Sequence, residues 1–99
     1  MRSILHGDIV AAARVLLRVA PKLRRPVCRE LLQEAETAFW HMETAKKIHR
    51  RWGDGSLMAA AQARGMDPEP SLSDVDYCSC LELVLHEVIN WRSDRQIPI

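Results

Sequence analysis

Between Pro26 and Gly53 the chain runs for 26 residues without a glycine or proline, enough for about seven helical turns. Pro in the first turn and Gly just past the last are the residues expected at helix ends. On a wheel of 3.6 residues per turn, Cys28, Leu31, Leu32, Ala35, Ala38, Phe39, Met42 and Ala45 share one side, the spacing of a core-facing stripe. Glu30, Glu34, Glu36 and Glu43 come early, and Lys46, Lys47, Arg50 and Arg51 late, so side-chain charge opposes the helix dipole at both ends. Glu43 and Lys47 add a weak pair four residues apart. A helix over about 26–52 is therefore predicted, and other helices must cover its stripe.

At 99 residues the chain suits one domain with one core. Ala and Leu are plentiful while Trp, Tyr and Phe number three, one and one, which favours helices over strands. The expected fold is all-α: four helices, the second long and central, the third short. Helix one is predicted over about 8–19, capped by Asp8 and stopped by Pro21. With only Arg14 and Arg18 breaking its apolar surface, it should be buried on several sides. Those two arginines also interrupt any apolar stretch of a signal or transit peptide, so the start reads as a helix.

After the long helix, Gly53 is placed for the left-handed C′ position, and Asp54 or Ser56 for capping a third helix over about 56–64. Pro68 and Pro70 mark the longest connection. Ser73 with Asp76 three residues later resembles a capping box for a fourth helix over about 74–92. That helix has a narrow polar stripe and is apolar elsewhere, so it is either central or has a flank that forms an interface. Three cysteines in a chain with no export signal suggest reduced thiols in the cytoplasm. No membrane span is expected.

The net charge of +1 hides a gradient. Residues 1–29 carry seven Lys/Arg and one Asp, residues 30–65 five of each sign, and residues 66–99 two Arg against seven Asp/Glu. The two ends either attract each other across the fold or offer a basic surface to an acidic partner. Arg14, Arg18, Lys22, Arg24, Arg25 and Arg29 are the candidate phosphate contacts, and nucleic-acid association through them is the alternative function. A helix-turn-helix over residues 57–80 is opposed by the lengthened turn and by Asp74 and Asp76 at the start of the would-be recognition helix.

Other chemistry finds less support. His6, His41, His49, His86, Cys28, Cys78 and Cys80 lack metal-ligand spacings. The Gly-Asp-Gly-Ser turn is too short for a phosphate loop, and Asp54 would repel an anion. No nucleophile, base and orienting group can be assembled from spacing, so no catalytic, cofactor or metal residue is assigned. The preferred candidate is Trp40. It lies about 140° from Ala35 at 100° per residue, a large aromatic on the polar side of an amphipathic helix, suited to anchoring a protein interface. A second layer of the bundle, such as the tail after Trp91, would equally explain it. Trp40 and Lys47, with Leu83, Val84 and Trp91 of the fourth helix, form the proposed protein interface, for a homodimer or a larger protein partner.

The run WGDGSLMAAA, from Trp52 to Ala61, together with DYCSCLELVL from Asp76 to Leu85, resembles small uncharacterised helical proteins of alphaproteobacteria. The resemblance implies a compact helical fold without an assigned activity, and it carries over no site residue.

Overall fold

Helix α1, His6–Leu16, is the most enclosed element of the chain, burying seven residues from Asp8 to Leu16. The computed structural model describes residues 1–95. A 3-10 turn at Pro21–Leu23 leads straight into α2, Arg24–Ala45, and α3 (Leu57–Arg64) and α4 (Val75–Arg95) follow. This is the four-helix all-α fold expected, with one long helix and a short third. Helices α1 and α2 touch each other and each touches α3 and α4, whereas α3 and α4 do not meet among the described residues. Alanines at α1 and α3, with Leu16, Leu31, Leu32, Leu57, Tyr77, Cys80 and Val84, fill the shared core. Small side chains let the helix backbones approach closely, so the core stays dense without many aromatics.

Asp8 does not cap α1 from outside, as the sequence suggested, but sits inside its first turn. Its Oδ2 accepts the Leu5 N–H at 2.8 Å, and its Oδ1 accepts the Met58 N–H of α3 at 2.9 Å. One buried carboxylate thus serves two helix N-termini, where orphan N–H groups and the positive dipole ends favour an anion. Helices α1 and α3 begin side by side because of it. Ser56 completes the α3 cap, its Oγ accepting the Ala59 N–H at 3.1 Å.

Helix α1 ends at Leu16, about three residues earlier than predicted. The Leu16 and Val19 carbonyls are taken by Arg24 Nε at 2.9 and 3.0 Å, so the chain tightens here. Helix α2 ends at Ala45 rather than near Trp52, with Lys46 in the left-handed region at φ 59°. The residues beyond, Lys46 to Arg51, offer no core-facing side chain, and Ile48 is exposed. The weak Glu43–Lys47 pair cannot offset that lack of burial. The chain instead folds back through paired His49 and Gly53 backbone bonds of 2.9 and 3.1 Å. His49 Nδ1 accepts the N–H groups of Arg51 and Trp52, both at 3.1 Å, and its ring stacks on Trp52 at 4.7 Å. Gly55, at φ +93°, lies so close to α2 that a Cβ would come 2.7 Å from Phe39; the turn requires glycine there.

At α4 the expected Ser73–Asp76 box is absent. Asp74 Oδ1 accepts the Tyr77 N–H at 3.0 Å instead, which frees Asp76 to pair with Arg24. The two Arg24 Nη atoms meet the two Asp76 carboxylate oxygens at 2.7 and 3.0 Å.

Replacing Asp8 tests the shared cap. Asp8→Ala should lower the unfolding free energy by about 2 kcal/mol, roughly one cap at each helix. Asp8→Asn, which keeps one acceptor oxygen, should cost about half as much. Urea midpoints should fall with the slope unchanged, and a loss below about 0.5 kcal/mol for Asp8→Ala, the range of an ordinary surface change, would show that the shared cap does not hold α1 and α3 together.

Candidate functional site

Helix α4 has two apolar sides. At 100° per residue, Tyr77, Cys80, Val84, Glu87 and Trp91 fall on one side, and Val75, Cys78, Glu82, Leu85 and Ile89 on the other. The first side faces inward: Tyr77, Cys80, Val84 and Glu87 are buried and Trp91 packs against the core. The second side faces outward, leaving Val75 78%, Leu85 50% and Ile89 63% exposed. Leu72, just before the helix, is also exposed. Cys78, Leu81, Glu82, Leu85, His86 and Ile89 line a shallow groove of about 500 Å³ along this side. Cys78 Sγ donates to the Leu72 carbonyl at 3.0 Å, tying the preceding turn to the groove.

The interface residues proposed from sequence fall elsewhere. Val84 is fully buried and presents no surface; it is a core residue, because the Tyr77–Val84–Trp91 side is the inward one. Leu83 is partly covered, and Trp91 lines a second groove with Arg29, Leu32, Gln33, Glu87 and Asn90. Trp40 is 56% exposed, with its Nε1–H donated to Glu36 Oε1 at 2.8 Å and its ring edge-on to Phe39. The cover suggested from the tail after Trp91 falls partly outside the described residues. Lys47 lies beyond the end of α2, exposed in the fold-back. The structure therefore does not gather these five residues on one face. Sequence reasoning missed Val75, Leu85 and Ile89, although with Cys78 and Glu82 they repeat the 3-4 spacing of the buried side.

Glu87 decides which side of α4 turns inward. It is 3% exposed and meets Arg25 and Arg29 of α2, the Arg29 Nε–Oε1 distance being 2.7 Å. Burial pushes its carboxyl up, but the hydrogen bonds from Arg29 and Arg25 outweigh this and hold it below the ordinary value. A charged residue in the middle of an apolar stripe was the sequence signal for this cluster.

The candidate phosphate contacts are largely engaged within the chain. Arg14 Nε donates to the Asp67 carbonyl at 2.7 Å and Arg18 lies 3.7 Å from the Asp67 carboxylate. Arg24 pairs with Asp76, and Arg25 and Arg29 with Glu87; Lys22 is exposed in the 3-10 turn. The basic and acidic thirds attract each other across the fold. Since α3 and α4 do not pack together, residues 57–80 lack the paired helices of a helix-turn-helix.

Burial pushes the Cys28 thiol up to about 12 and the Cys80 thiol up as well, which keeps both protonated and poorly nucleophilic. His41 and His49 meet edge to face at 5.1 Å, yet among the described residues no three His, Cys, Asp or Glu side chains form a metal-binding group. No helix among those residues is long and apolar enough to cross a membrane.

The Glu87 cluster has a pH signature. Its folded value lies below the unfolded one, so its stabilisation is complete above about pH 4.3 and is lost as pH falls through the folded value. Glu87→Gln should cost about 1–3 kcal/mol at neutral pH and flatten the acid limb of a plot of melting temperature against pH. An acid limb superimposable on the wild type would remove Glu87 from that role.

No curated protein and no solved structure matches the chain. A family model does match, over residues 2–88, and so covers all of α1, α2 and α3 and most of α4. By that match the chain belongs to the family described as a domain of unknown function, DUF7742.

Proposed function

We propose that this protein is a non-enzymatic protein–protein interaction module that docks through the outer side of α4. The observation that carries the reading is the stripe of Val75, Leu85 and Ile89, exposed together along one helix face. Isolated exposed apolar residues are ordinary, but Leu85 and Ile89 lie one turn apart in a groove that Cys78 and Leu81 also line, which supports docking. Covering three such side chains releases about 25 cal/mol for each Å² of apolar surface removed from water, which gives a partner a reason to bind there. Trp40, half exposed at the end of α2, is a second anchor, with Lys47 beyond it. Free thiols at Cys28, Cys78 and Cys80 support a reducing compartment, the cytoplasm, and the Trp52–Ala61 resemblance supports a bacterial one.

The alternative, nucleic-acid association through Arg14, Arg18, Lys22, Arg24, Arg25 and Arg29, would require breaking most of the ion pairs described above. A pull-down from native extract separates the two readings. With docking through α4, a protein partner should survive nuclease treatment, remain with the Arg14→Ala/Arg18→Ala variant and be lost with Ile89→Asp. Partners that disappear with nuclease and with the arginine variant, but not with Ile89→Asp, would overturn docking in favour of phosphate contact.

A further inference from the structure

We infer that the fold-back after α2 is a binding surface for the phosphate backbone of a nucleic acid; it is separate from the outer side of α4 and does not rest on the reading of that side. Residues 46–51 hold Lys46, Lys47, Arg50 and Arg51, all exposed, and no acid. The fold treats these four cations unlike the arginines of the N-terminal third. Arg14, Arg18, Arg24, Arg25 and Arg29 each meet an acceptor within the chain. Among the described residues, no ion pair and no side-chain hydrogen bond engages Lys46, Lys47, Arg50 or Arg51. A group of cations left open therefore lies at the end of α2 and not where the chain is most basic.

Four like charges within six residues repel one another, yet the loop that carries them is pinned on every side. The His49 and Gly53 backbones pair at 2.9 and 3.1 Å, which makes Arg50, Arg51 and Trp52 the tip. Trp52 stacks on His49 at 4.7 Å and has the Arg51 guanidinium 5.8 Å from its ring centroid. The His41 ring of α2 meets His49 from behind at 5.1 Å. Gly53 packs so near α3 that a Cβ would lie 2.7 Å from the Ala59 Cβ. A cationic loop fixed in advance loses little freedom when an anion docks. Arg51 and Trp52 also line a cleft with Arg64, and the two carboxylates there, Glu30 and Glu34, are already taken by Arg64. Of the acids that flank the loop, Asp54 lies against Arg2, which leaves Glu43, in the last turn of α2, to oppose the four cations.

The chemistry of the loop selects the partner. A protein interface or a lipid surface draws on buried apolar area, and Ile48 is the exposed large apolar residue that the loop offers. A nucleic acid needs no such area. Its phosphates present a closely spaced row of negative charge, and each cation that meets one releases a condensed counterion. The tip between the paired His49 and Gly53 is too small to fill a major groove as an α-helix does, so the contact is to phosphates and carries no sequence preference. The guanidinium planes of Arg50 and Arg51 offer flat faces to unstacked bases, which favours a single strand over a duplex.

Fluorescence anisotropy with a labelled single-stranded oligonucleotide of mixed sequence tests the inference. With four cations engaged, the logarithm of the binding constant should fall against the logarithm of salt concentration with a slope of about −3, roughly 0.7 for each cation. Arg50→Ala/Arg51→Ala should halve that slope and weaken binding about tenfold at low salt. Both side chains are exposed, and the loop is held by the Arg51 and Trp52 backbone N–H groups, so the circular dichroism spectrum should be unchanged. Lys47→Glu, also at an exposed position, should weaken binding as well, whereas Arg14→Ala/Arg18→Ala should leave it as it is. No binding at low salt, or equal binding by the loop variants and the unaltered chain, would overturn the inference. Binding lost with Arg14→Ala/Arg18→Ala and kept by the loop variants would overturn it in favour of the N-terminal third. Capture by phosphatidylserine vesicles without oligonucleotide binding would overturn it in favour of a lipid surface.

Discussion

A single guanidinium in the first turn of α2 holds three helix ends at once. Arg24 Nε takes the Leu16 and Val19 carbonyls at the end of α1, and its two Nη atoms clamp Asp76 in the first turn of α4. The planar fork of five donors is what makes this geometry available; an ammonium on a flexible stem would satisfy one direction and leave the others. The Asp76 hydrogen bond holds its partner's proton firmly and keeps its own carboxyl below the usual range. At the opposite end of α1, Asp8 performs the matching task with the opposite sign, joining the N-termini of α1 and α3. The most enclosed helix is thus fixed at both ends by charge and along its length by alanine-sized contacts. The other three helices take their positions from it.

The placement of the helices was legible from the sequence because it follows from spacing and from prolines and glycines. The ends and roles were less so, since they depend on partners remote in the chain. Nothing local distinguishes Asp8 as an outside cap from Asp8 as a bridge between two helices; Met58, its second partner, is 50 residues away. Likewise Asp76 fits a capping box by spacing, but Arg24 claims it and Asp74 does the capping. The long helix was overextended because charge pattern and lack of glycine permit a helix up to Trp52, while tertiary burial, whose last fully buried residue on α2 is Ala38, decides whether it continues. The long helix was also expected to be the centre, yet α1 and α2 share that role.

The candidate site was half legible for the same reason. That α4 carries more apolar surface than one neighbour covers is plain from its composition. Which side faces out depends on Glu87, whose two arginine partners lie on α2. A one-residue step between Val84 and Leu85 changes direction by 100°, and the two have opposite fates: Val84 is buried and Leu85 is half exposed. The same step explains why Val84 was placed in an interface that it cannot reach.

Glu87 and Asp76 are eleven residues apart on α4, and their partners Arg24, Arg25 and Arg29 lie within the first turns of α2. Two anchors separated by three helical turns fix the rotation of α4 about its own axis as well as its direction. Such ion pairs add little net stability, because the cost of desolvation offsets much of the attraction. Their effect is on register. Turning α4 by one residue would carry Glu87 out of reach of Arg25 and Arg29 and bring Leu85 or His86 towards the core. The ion pairs that neutralise the basic third therefore also hold Val75, Leu85 and Ile89 towards solvent, and the fold's internal electrostatics determine which surface the protein offers to a partner.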